Sequence, residues 1–376
     1  MSLRLDEYQA LAVGSDRTGS AASGVGLPIL GLVGETGSLL SEAKKKQRDA
    51  RSYVGYEESV AEEMGDTLWY LAVVAHRAGL ALSGLATTDG RPDPGVTFAA
   101  LQPQHLLPLP VPTAAFERTL LRLAGAVGRV AEVAQGDGRD LRDPLGAVFA
   151  HVTSAADEAG ITLEAAALAN LAKAQDRWPD ERPPPASFDE RFPEEERLLR
   201  DLSVDVFERT GGNGKTYVVQ RCNGLFIGDR LTDNIMRPDD YRFHDAFHYA
   251  YAAILGWSPV TRALFRRKRK SEARVDEGED GARAILIEEG VATYVFGEAK
   301  RLDFFEGRRP GDLSYSFLKS VRQFARGYEV ETTPLWLWEE AILAGNEAFR
   351  FLREHRRGRL RLDLNRRTLR TEELSP

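Results

Sequence analysis

The stretch MGDTLWYLAVVAHRAGLAL, residues 64–82, decides the fold. Apolar residues recur in it at spacings of three and four, Met64, Leu68, Leu71 and Ala75 among them, so it reads as a helix that Gly79 closes. It aligns without a gap on LGAVFAHVTSAADEAGITL, 145–163, with Gly65 over Gly146 and Gly79 over Gly160. Upstream, LVGETGSLLSE (32–42) aligns on LAGAVGRVAEV (123–133), which sets Gly34 and Gly37 over Gly125 and Gly128. Helical hairpins rich in Ala and Gly resemble one another by composition alone, but the gapless second pairing favours duplication. The expected fold is an internally duplicated all-α helical bundle with a four-helix core.

Working outward, 376 residues imply two domains. A hydrophobic content of 43% with 28% charged residues is that of a soluble chain able to bury a core. No apolar run reaches the roughly 18 residues that span a membrane. MSLRLDEYQA lacks the apolar centre of a signal peptide, so a cytoplasmic location is expected. One cysteine, Cys222, excludes a disulfide framework and a multi-cysteine zinc site. A net charge of −7 does not favour nucleic acid as the partner.

The stretch RWPDERPPPASFDERFPEEERL (177–198) is rich in proline and charge and lacks any period, which reads as a linker. The expected division is a domain at 1–178, a linker at 179–197 and a second domain at 198–376. Residues 83–115, rich in Gly, Thr and Pro, read as a long connector inside the first domain. In the second, Asn223-Gly224 between β-branched and aromatic runs signals a hairpin. Helical pattern runs from about 239 to 355, and GRLRLDL (358–364) alternates like a strand. This part is expected to be mainly helical α+β.

The two copies of the repeat differ in their acids: Glu35 stands over Ala126 and Asp66 over Ala147. Acids in one copy of a shared scaffold point to chemistry. Glu63 and Asp66, or Glu62 and Asp66, are spaced to share one helix face, and Glu35 and Glu42 lie two turns apart on another. If the two helices pack antiparallel, these carboxylates converge and repel, and a divalent cation relieves the repulsion. Oxygen ligands alone select Mg²⁺ or Mn²⁺ over zinc. Lys44, Lys45 and Lys46 could meet phosphate oxygens, Lys46 being about 20° from Glu35 around the helix.

Four elements in order, LDEYQ (5–9), GLVGETGSLLSEAKKK (31–46), EEMGDTLWYLA (62–72) and AGITLEAAALANLAKAQDRWP (159–179), resemble a MazG-type all-α nucleoside triphosphate pyrophosphohydrolase. The resemblance implies a helical bundle that uses Mg²⁺ to cleave a nucleotide substrate to NMP and pyrophosphate. By position it makes Glu35, Glu63 and Asp66 metal ligands and catalytic residues, with Asn170 and Lys173 completing a substrate pocket. One departure stands out: Ser38 occupies the place of the family's second Glu, which weakens metal binding or passes the ligand role to Glu42. The resemblance also suggests a homodimer.

In the second domain, DDYRFHDAFHYAYAAILGW (239–257) reads as an amphipathic helix with His244, Asp245 and His248. Two imidazoles one turn apart can meet one metal. Glu288 and Glu289 sit in an apolar helical run, where an unpaired carboxylate is costly. The readings are core histidines bonded to these acids, or a second metal site with the basic loop RRKRKSEAR (266–274) holding a phosphate nearby. The expected activity is Mg²⁺-dependent hydrolysis of nucleoside triphosphates. The alternatives are a nucleotide-sensing regulator with an impaired first site, or a second domain that is the main hydrolase or nuclease.

Overall fold

In the computed structural model, the residues described are all but 1, 20–23, 88–89, 104–105, 137–139, 213, 375 and 376. The chain divides into two units, residues 1–175 and 176–376.

In the first unit, α2 (Gly26–Asp49) and α3 (Tyr56–Arg77) form a hairpin across a short connection, and α6 (Ala114–Val133) and α7 (Arg142–Ala159) form another. Helix α2 packs on α6 and α3 on α7, which closes a four-helix bundle. The apolar stripes meet in one cluster: Leu32, Leu39, Met64 and Leu68 from the first hairpin join Leu123, Val127, Leu145 and Val148 from the second. Full burial of each such side chain contributes about 1.5–3 kcal/mol. Before the first hairpin lies α1 (Leu5–Gly14), and after it the short α4 (Leu82–Ala86). Short α5 (Phe98–Leu101) precedes the second hairpin and α8 (Leu163–Arg177) follows it. The connector 83–115 thus holds α4 and α5, while its residues 88–89 and 104–105 lie outside the described residues.

Equivalent positions of the two halves make equivalent bonds. Helices α3 and α7 both end at a glycine with positive φ, +73° at Gly79 and +70° at Gly160. The next N–H reaches five residues back in each, Leu80 to the Ala75 carbonyl at 2.9 Å and Ile161 to the Ala156 carbonyl at 2.8 Å. The Gln9 amide accepts from Leu82 N and donates to Leu80 O, both at 3.0 Å. The Gln102 amide does the same with Leu163 N at 2.7 Å and Ile161 O at 3.2 Å. A Cβ on Gly65 would face the Ala166 carbonyl, and one on Gly146 would face the Leu85 carbonyl. The halves touch through matching residues in an antiparallel bridge, Arg4 opposite Thr97.

In the second unit, five antiparallel strands run in the order β3-β2-β1-β4-β5: β1 Asp201–Thr210, β2 Thr216–Cys222, β3 Leu225–Leu231, β4 Arg357–Asp363 and β5 Thr368–Glu372. The β2–β3 turn takes φ of 49° at Asn223 and 81° at Gly224, as a two-residue hairpin requires. In β4 the alternation holds, with Gly358, Leu360 and Leu362 buried and Arg361 outside. Among the helices are α9 (Asp245–Ala250), α10 (Pro259–Leu264), α11 (Ala273–Gly278), α12 (Ala282–Lys300), α13 (Tyr315–Phe324) and α14 (Leu335–His355). Phe247, Trp257, Trp338, Phe349 and Leu360 share their core.

One expectation fails here. Residues 239–257 are not one amphipathic helix. A 3₁₀ turn at Tyr241–Phe243 leads into α9 and then a π-helical turn at Tyr251–Leu255, and every residue from Ala246 to Pro259 is buried. Gly345 of α14 explains the tight cover, since a Cβ there would stand 3.2 Å from Ala250 Cβ and from the Phe247 ring.

The proline-rich stretch 179–197 contributes buried residues to this unit. Asp189 is fully buried and accepts from Leu198 N at 2.8 Å and Arg262 Nη2 at 2.9 Å. Burial raises the Asp189 carboxyl, but the Arg262 charge and the hydrogen bonds outweigh it and bring it down to about 2. Among the described residues, no helix is long and apolar enough to cross a membrane.

Candidate active site

Two glycines bring the acidic elements of the first unit together. A Cβ on Gly31 would stand 2.1 Å from Tyr70 Cε1, so glycine alone lets that ring lie against α2, one turn before Glu35. A Cβ on Gly65 would meet the Ala166 carbonyl oxygen at 2.7 Å and Asn170 Cβ at 3.2 Å. Helix α8 therefore passes close over α3, and Asn170 and Lys173 reach Asp66.

Glu35 from α2 and Glu63 and Asp66 from α3 present carboxylate oxygens that all lie within 4.8 Å of one another. Asn170 Nδ2 and Lys173 Nζ each donate to Asp66 Oδ1 at 2.6 Å, and Lys173 also bonds Asp66 Oδ2. Lys173 lies 3.5 Å from Glu62 Oε1 as well. Asn170 Oδ1 is buried without a partner.

The electrostatics follow from this crowding. Burial first, then the charges of Glu35 and Asp66, push the Glu63 carboxyl up to about 7. Glu35 is raised by burial and by Asp66, and Asp66 by burial, even against Lys173.

Two residues expected at this site are elsewhere. Glu42 is buried and accepts from Lys45 Nζ at 2.6 Å and from the Tyr53 hydroxyl. Lys46 donates to the Tyr53 carbonyl at 3.0 Å. Angular alignment misled because it ignores the rise along the axis. Seven residues advance about 10 Å and eleven about 16 Å, too far for either side chain to join Glu35. Nothing in the sequence marked Tyr53, which follows α2 and caps this group. Ser38 stands one turn beyond Glu35 on α2.

A second cluster lies in the other unit. One ring nitrogen each of His244 and His248 and a Glu289 oxygen all lie within 4.8 Å of one another, and Glu289 Oε2 stands 3.7 Å from His244 Nε2 and 3.5 Å from His248 Nε2. His244 Nδ1 bonds the Tyr241 carbonyl at 2.9 Å, and the Tyr241 ring stacks on the imidazole at 4.3 Å. His248 Nδ1 bonds Glu288 Oε1 at 2.8 Å. Glu288 is fully buried and also accepts from Ser258 Oγ at 2.7 Å and Val260 N at 2.8 Å. It therefore orients His248 and is not a member of the cluster. Asp245 lies 3.4 Å from His244 Nε2 but is held by Gln220. Burial lowers His244. Burial also works to lower His248, but the charge and hydrogen bond of Glu288 raise it well above its usual value.

The basic loop expected to hold phosphate here is built differently. Arg269 is buried and pairs with Asp280 and Glu329 at 2.7 Å each. A run of charges looks the same in sequence whether solvated or neutralised inside, and here its central arginine ties Asp280, just before α12, to Glu329.

A family model described as the MazG C-terminal domain matches residues 183–375, where the sequence motifs by themselves point to no family. No curated protein and no solved structure matches the chain. The matched span is just over half of the chain, and the chain belongs to the family of MazG-related proteins defined by this C-terminal domain.

Proposed function

We propose that the first unit is a Mg²⁺-dependent nucleoside triphosphate pyrophosphohydrolase, releasing NMP and pyrophosphate. The observation that carries this reading is the trio Glu35, Glu63 and Asp66, from two helices, with Lys173 and Asn170 against Asp66. The MazG-related C-terminal domain agrees with a nucleotide-related role. In this reading the acids stem from one copy of a duplicated scaffold, with one site per chain.

The donor set fits Mg²⁺ or Mn²⁺: three hard carboxylate oxygens within 4.8 Å of one another, partly buried and crowded enough that the charges of Glu35 and Asp66 add to burial in raising Glu63. When bound, such a cation neutralises phosphate oxygens and acidifies an attacking water. The chain's residues do the rest. Glu35, Glu63 and Asp66 hold the cation. Lys173 donates to Asp66 and would be the ammonium that a substrate phosphate meets beside it. Asn170 fixes Asp66 through Nδ2 and keeps Oδ1 as a buried acceptor for a substrate donor.

The test measures NMP and pyrophosphate from a panel of NTPs and dNTPs with Mg²⁺. Asp66→Asn, which removes a ligand charge at nearly constant volume, should abolish release while the circular dichroism stays unchanged. Activity within about twofold of wild type overturns the assignment. Ser38 favours a second reading, a unit that binds nucleotide without cutting it. Nucleotide-dependent stabilisation with no product from any substrate would select that one.

A further inference from the structure

The histidine cluster of the second unit is arranged for a ligand that its protein neighbours do not supply. Both imidazoles are fixed through Nδ1, His244 by the Tyr241 carbonyl and His248 by Glu288, so both present Nε2 to the same space. Metal-ligating histidines are typically held this way, with the far nitrogen bonded to a carbonyl or carboxylate. His248 Nε2 has no hydrogen-bond partner although its side chain is 1% exposed. Its nearest carboxylate oxygen, Glu289 Oε2, is 3.5 Å away, beyond a good hydrogen bond. Leaving a buried polar nitrogen unpaired is costly, so its aim at Glu289 and His244 needs a reason.

The surroundings are built to keep that aim. Glu288 is held by Ser258 and by the Val260 N–H at the start of α10, so the group behind His248 is itself immobilised. Tyr241 stacks on His244 in nearly parallel planes and bonds Thr293, one turn beyond Glu289 on α12. Access is one-sided: Glu289 is 39% exposed and His244 only 7%.

We propose that His244, His248 and Glu289 bind one divalent transition-metal ion, of the zinc or iron(II) kind, with at least one coordination position open to solvent. Two imidazole nitrogens and one carboxylate oxygen are too soft a set to prefer Mg²⁺ and match the three-ligand sites that leave room for water or substrate. The site is separate in ligands and chemistry from the three carboxylates of the first unit, and stands whether or not those carboxylates cut nucleotides.

The full chain, stripped of metal and carrying Glu63→Gln and Asp66→Asn to silence the first unit's acids, is equilibrated with Zn²⁺ in millimolar Mg²⁺ and counted by mass spectrometry. One equivalent of Zn²⁺ is expected to remain, and Co²⁺ in its place should give the visible bands of a nitrogen-ligated ion. His248→Gln should lose the equivalent, and Glu288→Gln, which keeps all three ligands, should weaken binding by roughly 10- to 100-fold. Circular dichroism checks that both variants fold. If the parent chain retains no Zn²⁺, the proposal fails and His248 is a charged bridge between Glu288 and Glu289. Zn²⁺ retained equally by His248→Gln also overturns it.

Discussion

Glu63→Gln should make the cation-free protein more stable while removing the proposed hydrolysis. The Glu63 carboxyl is pushed up to about 7 from an ordinary 4.5, chiefly by burial and by Glu35 and Asp66. A group with a raised value in the folded state favours folding below its unfolded value and loses that advantage as pH rises through the folded one. The penalty for ionising Glu63 therefore grows between about 4.5 and 7 and is complete above that. At about 1.4 kcal/mol per tenfold in proton affinity, the ceiling is about 3 kcal/mol. Water reaches part of this side chain and screens it, so about 1–2 kcal/mol is the expected effect. For a unit of 175 residues this corresponds to roughly 3–6 °C in Tm. The assay is thermal unfolding in EDTA at pH 8 and at pH 4.5, followed by the same melts with Mg²⁺. Glutamine should raise the first unit's transition at pH 8, leave it unchanged at pH 4.5, and diminish the gain from Mg²⁺. A variant that melts below wild type at pH 8 in EDTA would refute the argument, because the carboxylate would then be stabilising without a cation.

Two further substitutions test the geometry. Ser38→Glu should tighten Mg²⁺ binding by supplying a fourth carboxylate one turn from Glu35; unchanged or weaker affinity in a calorimetric titration would place Ser38 outside the cation's reach. Gly65→Ala sets a methyl 2.7 Å from the Ala166 carbonyl and should force α8 off α3. It should destabilise the unit by about 1–3 kcal/mol and raise KM as Lys173 withdraws; an unaltered KM would contradict the role given to that close approach.

The bundle was legible because helical periodicity repeats over two long hairpins and the equivalent glycines keep their spacing. The approach of Glu35, Glu63 and Asp66 was legible too, since they fall on facing turns of neighbouring helices. Glu42 and Lys46 were misplaced because rotation about an axis is easy to count and distance along it easy to neglect. In the second unit the i,i+4 histidines announced themselves, but the division of labour between Glu288 and Glu289 did not. Adjacent helical residues point about 100° apart, and which of the two meets Ser258 and Val260 depends on α10, thirty residues away in sequence. Burial of 246–259 was hidden because α14 supplies its cover through Gly345, a position the α9 sequence carries no trace of.

The antiparallel bridge of Arg4 with Thr97 joins two halves that lie on one polypeptide. Four-helix bundles assembled from two separate hairpins come apart on dilution, and their melting temperature tracks protein concentration. Here the second hairpin is delivered by the chain itself, at an effective concentration set by the covalent connection. If the proposed hydrolysis holds, activity per chain should therefore stay constant on dilution to nanomolar protein; activity per chain that falls on dilution would show that a second copy of the chain completes the site.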